Sequence, residues 1–247
     1  MGSWQQAINL LAAIATVVVN ALANIVPFNG NTTAEVSDRL PVYFTPAGYV
    51  FSIWGLIYLG MIIFAIYQAM PSQQNSAFLG QIGYLFCLTC LANSTWIFLW
   101  HYEAILLTLP MMLALLFSLI AIYLRLDIGR APVSAADKWF VHVPFSIYLG
   151  WIAVATVANA SAVLYYLHWD GWGISPEMWT VIMVVVAASL ALAAILSRRD
   201  YAYALVAVWA FIGIAVKDLQ VQIIVVAAMA MAAVLLLAMV GRALRHA

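Results

Sequence analysis

Charge is what this sequence has least of. Only 7% of its 247 residues are Asp, Glu, Lys or Arg, against about a quarter in an ordinary soluble domain. So few charges cannot coat a water-soluble body of this size. With 67% of the residues hydrophobic, the solvent for the outer surface is lipid. Nine basic residues balance nine acidic ones, which leaves no basic stripe for nucleic acid and no polybasic membrane patch. Two cysteines, Cys87 and Cys90, are too few for a disulfide framework. Four histidines, His101, His142, His168 and His246, stand apart from one another. None is four residues from another His or a carboxylate, so a zinc or di-iron site is not expected. No acidic residue lies at the middle of an apolar run, which counts against a proton pump or a carboxylate-coupled cation transporter. A nucleophile–base pair and a glycine-rich phosphate loop are missing too. No residue is assigned to catalysis or to a metal, and an enzyme is not the expected class.

What the chain does have is long apolar runs. A helix needs roughly 20 such residues to cross about 30 Å of hydrocarbon. Eight segments reach or approach that length: 7–26, from Pro46 to 69, 77–100, 104–124, 139–167, 178–197, 201–216 and 221–240. The seventh is short; if it is re-entrant, the count falls to seven. The first run has no Lys or Arg before it, which a signal peptide normally carries, so it reads as the first transmembrane helix. Between the first two runs lies a polar loop, residues 27–45. Arg125, Arg130, Lys138, Arg198, Arg199, Arg242 and Arg245 fall on one side of an eight-helix topology, and only Arg39 and Lys217 on the other. That bias predicts cytoplasmic termini. The loop then faces outward, together with Trp169, Trp172 and Trp179, whose indoles suit the headgroup level.

Polar groups inside hydrocarbon are expensive and are candidates for function. Here they are Asn20, Asn24, Asn93 and Asn159, with hydroxyls such as Ser94, Thr95 and Thr156. Asn93, Trp96 and Trp100 share a helical face by their spacing. Trp54 and Tyr58 stand four apart, and Trp151, Ala155 and Asn159 follow a four-residue stripe. Two readings stand. The aromatics and amides line a pocket for a flat, mostly apolar ligand, or they pack and bond helix to helix. Cys87 and Cys90 form a C-x-x-C inside an apolar run, out of reach of a redox partner, and read as two small residues at a helix contact. Leu119, Tyr123 and Arg125 fit a loose sterol-contact pattern at a helix end.

Residues 41–58, PVYFTPAGYVFSIWGLIY, carry a more specific signal. Pro41, Tyr43, Pro46, Tyr49, Trp54, Gly55 and Tyr58 resemble the Pro- and aromatic-rich entrance to the second helix in the TspO/MBR family of tryptophan-rich sensory proteins. Asn93 and Trp96 are similar to the family's Asn-x-x-Trp on helix three. Trp151 and Asn159 are similar to its Trp and Asn eight apart on helix five. Tyr43 and Tyr49 stand where members often have Trp, and Ser94 replaces a frequent Trp. The motifs cover residues 1–168; residues 169–247 extend beyond them. The resemblance implies an all-α, polytopic transmembrane bundle. Its core would be five TspO-like helices at 1–168, with about three added helices at 169–247. It implies a ligand pocket closed by the first loop, with Pro46, Tyr49, Trp54, Tyr58, Asn93, Trp96, Trp151 and Asn159 as ligand-binding residues. The ligand would be a tetrapyrrole such as a porphyrin, or a sterol-like lipid. The partners expected are membrane lipid, that apolar ligand, and a homodimer mate or a larger membrane complex. The alternatives are a small-solute transporter and an accessory subunit of a pigment-containing complex, with His101 or His142 as the pigment ligand.

Overall fold

A computed structural model describes residues 2–245; His246 lies outside them. The described residues form eleven α-helices and no strand. They are α1 (Gly2–Ile25), α2 (Thr33–Asp38), α3 (Ile53–Ala69), α4 (Ala77–Ile82), α5 (Leu85–His101), α6 (Ile105–Arg125), α7 (Ala135–Asp137), α8 (Val143–Tyr166), α9 (Pro176–Arg198), α10 (Tyr201–Lys217) and α11 (Gln222–Leu244). A π-turn at Lys138–His142 joins α7 to α8, and a 3₁₀ turn at Gly48–Ser52 leads into α3.

Most boundaries follow local chemistry. α3 ends at Ala69 because Met70, the residue before Pro71, is turned extended. Ser175 caps α9 with Pro176 in its first turn, and Asp200 caps α10 through the Tyr203 amide. One expectation is corrected. The third apolar run is not one helix: Gly83, at φ +56°, ends α4, and α5 restarts at Leu85. Within the polar loop after α1, Thr32 and Glu35 form a capping box that starts α2.

α1, α3, α8, α6 and α5 pack in a closed ring, each touching the next. α9, α10 and α11 form a second, three-helix unit that meets the ring mainly where α10 lies on α8. There Gly150 permits a close crossing, since a Cβ at that position would stand 3.0 Å from the Tyr203 carbonyl oxygen. Each unit has its own apolar core, one around Phe64, Phe86 and Ile152, the other around Phe211, Ile195 and Leu235. Val42 and Phe44, from the connection between α1 and α3, are buried in the second core rather than the first.

Six helical stretches are long and apolar enough to cross a bilayer: Ser3–Ile25, Gly48–Ala69, Ile105–Arg125, Ala135–Tyr166, Pro176–Arg198 and Gln222–Leu244. α5 and α10 are apolar but shorter, 17 residues each, or about 25 Å at 1.5 Å per residue. The eight expected segments therefore divide into six full-length spans and two shorter helices, one of them the third segment after its break. The protein is an integral, multi-pass membrane protein. Its basic residues gather at one end. Arg198 bonds Asp127 at 2.9 Å, Arg130 reaches the Ser197 carbonyl and Arg242 the Leu196 carbonyl. Arg39 pairs with Glu103 at the opposite end.

Candidate functional site

The site is built on the connection between α1 and α3. His101, fully buried at the end of α5, pins it: Nδ1 donates to the Phe28 carbonyl and Nε2 accepts from Thr33 Oγ1 at 3.1 Å. Asn29 Nδ2 donates to the His101 carbonyl, and Trp100 Nε1 to the Thr33 carbonyl at 3.1 Å. Thr32 caps α2 and Arg39 bridges to Glu103. Glu35, whose carboxylate accepts the Thr32 amide, is held below the usual carboxylate range by that bond. Tyr43 bonds the Glu177 carboxylate at the start of α9, which pushes its phenol up.

Beneath this connection lies a central cavity of about 40 Å³. Pro46, Trp54, Trp96, Trp151 and Asn159 line it, with Phe51, Trp100 and Met112. The rings are fixed by one another. Trp54 stacks on Tyr58 at 5.5 Å and meets Trp151 edge-on at 6.2 Å; Trp96 stacks on Trp100 at 5.2 Å. Trp151 is 2% exposed, and its Nε1 is buried with no hydrogen-bond partner. An unsatisfied buried donor costs about 1–3 kcal/mol, so this N–H is the group in the cavity wall best placed to receive an acceptor.

The amides behave differently. Asn159 accepts from Trp96 Nε1 at 3.3 Å and donates to Thr108 Oγ1 at 2.7 Å. Asn93 accepts from Asn20 at 2.7 Å and donates to the Tyr148 hydroxyl at 2.9 Å. Both are committed to neighbouring helices. Asn93 does not line the cavity but faces α1 and α8. Tyr49 is half exposed and packs edge-on against Trp209 of α10. Thus five of the eight expected residues meet at the central cavity, while Tyr58, Asn93 and Tyr49 do not line it.

A larger chamber, about 540 Å³, lies on the other side of Trp54. α1 contributes Asn20 and Asn24, the connection Thr32 and Thr33, and α3 Tyr58 and Gly55. Phe51 and Trp54 line both spaces and form the partition between them. The larger volume falls in the range of ligand sites, about 300–1,000 Å³, and the smaller one has room only for water. Phe51 and Met112 carry no motif that would single them out in the sequence. Trp100 is on the Trp96 stripe, and its cavity position was readable from the four-residue spacing.

Other candidates fall away from the site. Neither His101 nor His142 lines either chamber, and both ring nitrogens of His101 are engaged by the protein. Among the described residues no cluster of three metal-binding side chains exists. Cys87 bonds Asn9 Oδ1 and Cys90 is buried against α1, as a helix contact requires. Leu119 and Tyr123 face inward, Tyr123 donating to Asp200 at 2.8 Å, so the sterol-contact pattern is not presented to lipid.

Comparison with known proteins agrees with this architecture. A family model described as TSPO-like protein matches residues 6–241, past the last of the sequence motifs and into α11. Neither a curated protein nor a solved structure matches the chain.

Proposed function

The chain belongs to the TSPO-like protein family, and on that premise we propose that it binds a flat, mostly apolar ligand at the paired chambers around Trp54. A tetrapyrrole such as a porphyrin is the first candidate and a sterol-like lipid the second. The observation that carries this reading is the unpartnered Trp151 N–H in a wall that also holds Phe51, Trp54, Trp96 and Trp100. The ligand enters the larger chamber beside α1 and swings Trp54 out of the partition, joining the two chambers; an acceptor on the ligand's edge then meets Trp151. Asn159 holds Trp96 in place, and Asn93 holds α1 against α8. Pro46 and the 3₁₀ turn after it form the wall of the site.

Binding serves sensing, regulation or transport. Gln5, Gln6 and Asn20 of α1 are bonded to other helices, and only Asn24, bonded back to the Asn20 carbonyl, has no such partner, which favours binding over solute flux. Flux into proteoliposomes without saturable binding would reverse that preference. The engaged ring nitrogens of His101 remove support for pigment ligation there. Both termini lie in the cytoplasm on the charge bias, and reporter fusions at each end check this. Assembly as a homodimer or within a larger complex is read from native mass after mild solubilisation.

Quenching of tryptophan fluorescence by protoporphyrin IX in detergent tests the site. Saturable quenching is expected in the native protein, and a Kd raised about tenfold in Trp151→Phe, which keeps an aromatic ring, smaller than indole, and removes the N–H donor. Without ligand, Trp151→Phe melts somewhat lower, because the smaller ring leaves a cavity at a buried position and removing an unsatisfied donor offsets that loss only in part. Equal affinity of native protein, Trp151→Phe and Trp54→Ala would sink the proposal.

A further inference from the structure

Three residues of α10, Trp209, Gly213 and Lys217, lie four apart and form one stripe at successive turns. The first two contact the segment that walls the site, and the third reaches the end of α2 just before it. Trp209 Nε1 donates to the Val50 carbonyl at 3.2 Å, and its ring packs against Tyr49 at 5.4 Å. The Gly213 carbonyl accepts from the Ala47 amide at 3.1 Å. A Cβ at Gly213 would overlap Val50 Cγ2 and stand 3.1 Å from Pro46 Cβ, so only glycine lets the helix come this close. Lys217 Nζ lies 4.0 Å from Asp38 Oδ1, at the end of α2. Pro46 and Phe51, which flank these contacts, line the central cavity. Val42 and Phe44, just before them, are buried in the three-helix unit's own core.

The geometry points to α10 as the element that sets the size of the ligand site, through the stripe Trp209–Gly213–Lys217. The three C-terminal helices are thereby part of the binding machinery. They clamp the wall from behind, hold the central cavity at its small volume, and make its enlargement depend on sliding residues 46–51 along α10. Three positioning residues, none touching the ligand, then decide how large a ligand the site admits. This rests on the ligand-binding reading above, but the cavity's opening can be measured without ligand.

The test places a reporter in the cavity wall. In a Cys87→Ser, Cys90→Ala background, Ala155→Cys is alkylated with N-ethylmaleimide in the folded, full-length protein. Ala155 lines the central cavity, which at about 40 Å³ is too tight for the reagent unless the wall moves. Slow labelling is expected in this parent. Trp209→Phe, which keeps a smaller aromatic ring but loses the bond to Val50, should speed labelling about tenfold. Gly213→Ala should do the same. Adding Val50→Ala to Gly213→Ala removes the overlapping methyl and should restore the slow rate, an outcome that general loosening of the fold does not give. Unchanged labelling in Trp209→Phe and Gly213→Ala, with native circular dichroism and elution, overturns the proposal. So does fast labelling that Val50→Ala fails to reverse. Should Gly213→Ala not fold, Trp209→Phe alone decides. Protoporphyrin IX quenching is recorded on the same samples. Its absence in the parent defeats the ligand-binding reading and leaves the labelling result, and the role of α10, to stand or fall separately.

Discussion

Individual polar side chains divide here into those that hold helices and those left open. Asn93 belongs to the first kind. Its two bonds, to Asn20 and Tyr148, join α5 to α1 and α8. Interhelical hydrogen bonds in membranes average about 0.6 kcal/mol. Asn93→Leu should therefore cost about 1 kcal/mol in detergent unfolding, with little change in probe affinity among folded molecules. Asp218 is different again. Its Oδ2 is buried and bonded to nothing in the protein, and burial raises the carboxyl to about 6 despite the opposing charge of Lys217. A raised acid pKa means that the folded protein holds this proton more tightly than the unfolded chain. The stability linked to it is complete below about pH 4, the unfolded value, and is lost as pH rises through about 6. Asp218→Asn should thus stabilise the protein above about pH 6, and the gain should vanish near pH 4. Discounted for the solvent that reaches this group, the gain is on the order of 1 kcal/mol. Melting curves across pH check both the sign and the window. At this scale the sequence was only half legible. Spacing put Trp96, Trp151 and Asn159 on the right faces, because a helix turns by a fixed angle per residue. It could not say which amides would find partners, since Thr108 and Tyr148 meet them only through tertiary packing.

Helices were the most legible features, because each transmembrane run is long and uniformly apolar. Their interruptions were less so. Gly80 and Gly83 were visible in the third run, but a run of apolar residues reads the same whether one helix or two carries it. The break is held by Gln5, whose Nε2 donates to the carbonyls of Leu79 and Gly83, both at 2.8 Å. The Leu79 carbonyl also accepts the Gly83 amide at 3.0 Å, so Gln5 is its second donor, whereas the Gly83 carbonyl lies past the end of α4. Gln5→Leu should remove both side-chain bonds and lower the thermal midpoint by the equivalent of about 1 kcal/mol, without moving probe affinity. An unchanged midpoint would mean that other groups satisfy the α4 terminus. The capping box of α2 was also written locally, as Thr-Thr-Ala-Glu at residues 32–35. The polar character of its surroundings hid it.

For the whole molecule, composition alone indicated a membrane bundle, and the motifs indicated the family that the match across residues 6–241 shows. The motifs stop in α8, whereas the match continues into α11. What they could not convey is how the two units share the connection between α1 and α3. His101 and Trp100 hold one side of it, and Trp209 and Gly213 hold the other. The loop expected to close the pocket is fastened as a strap at both edges. Contacts of this kind join residues as much as 159 positions apart, as Trp209 and Val50 are, and no local pattern announces them.

The amides of α1 carry a consequence for how the chain is made. Gln5 and Gln6 find their partners 62 to 78 residues downstream, on α3 and at the end of α4; Asn20 finds Asn93, 73 residues on. At about 5–20 residues per second, synthesis leaves α1 without those partners for some 3–16 s. A helix with several unbonded amides is poorly received by lipid. α1 should therefore remain beside the insertion machinery until α5 emerges, and then leave together with it. Photo-crosslinking from α1 in stalled nascent chains would reveal this: contact with the insertion channel should persist in chains ending before Asn93 and be lost in longer ones. Early release of α1 into lipid would show that its polar stripe can wait alone.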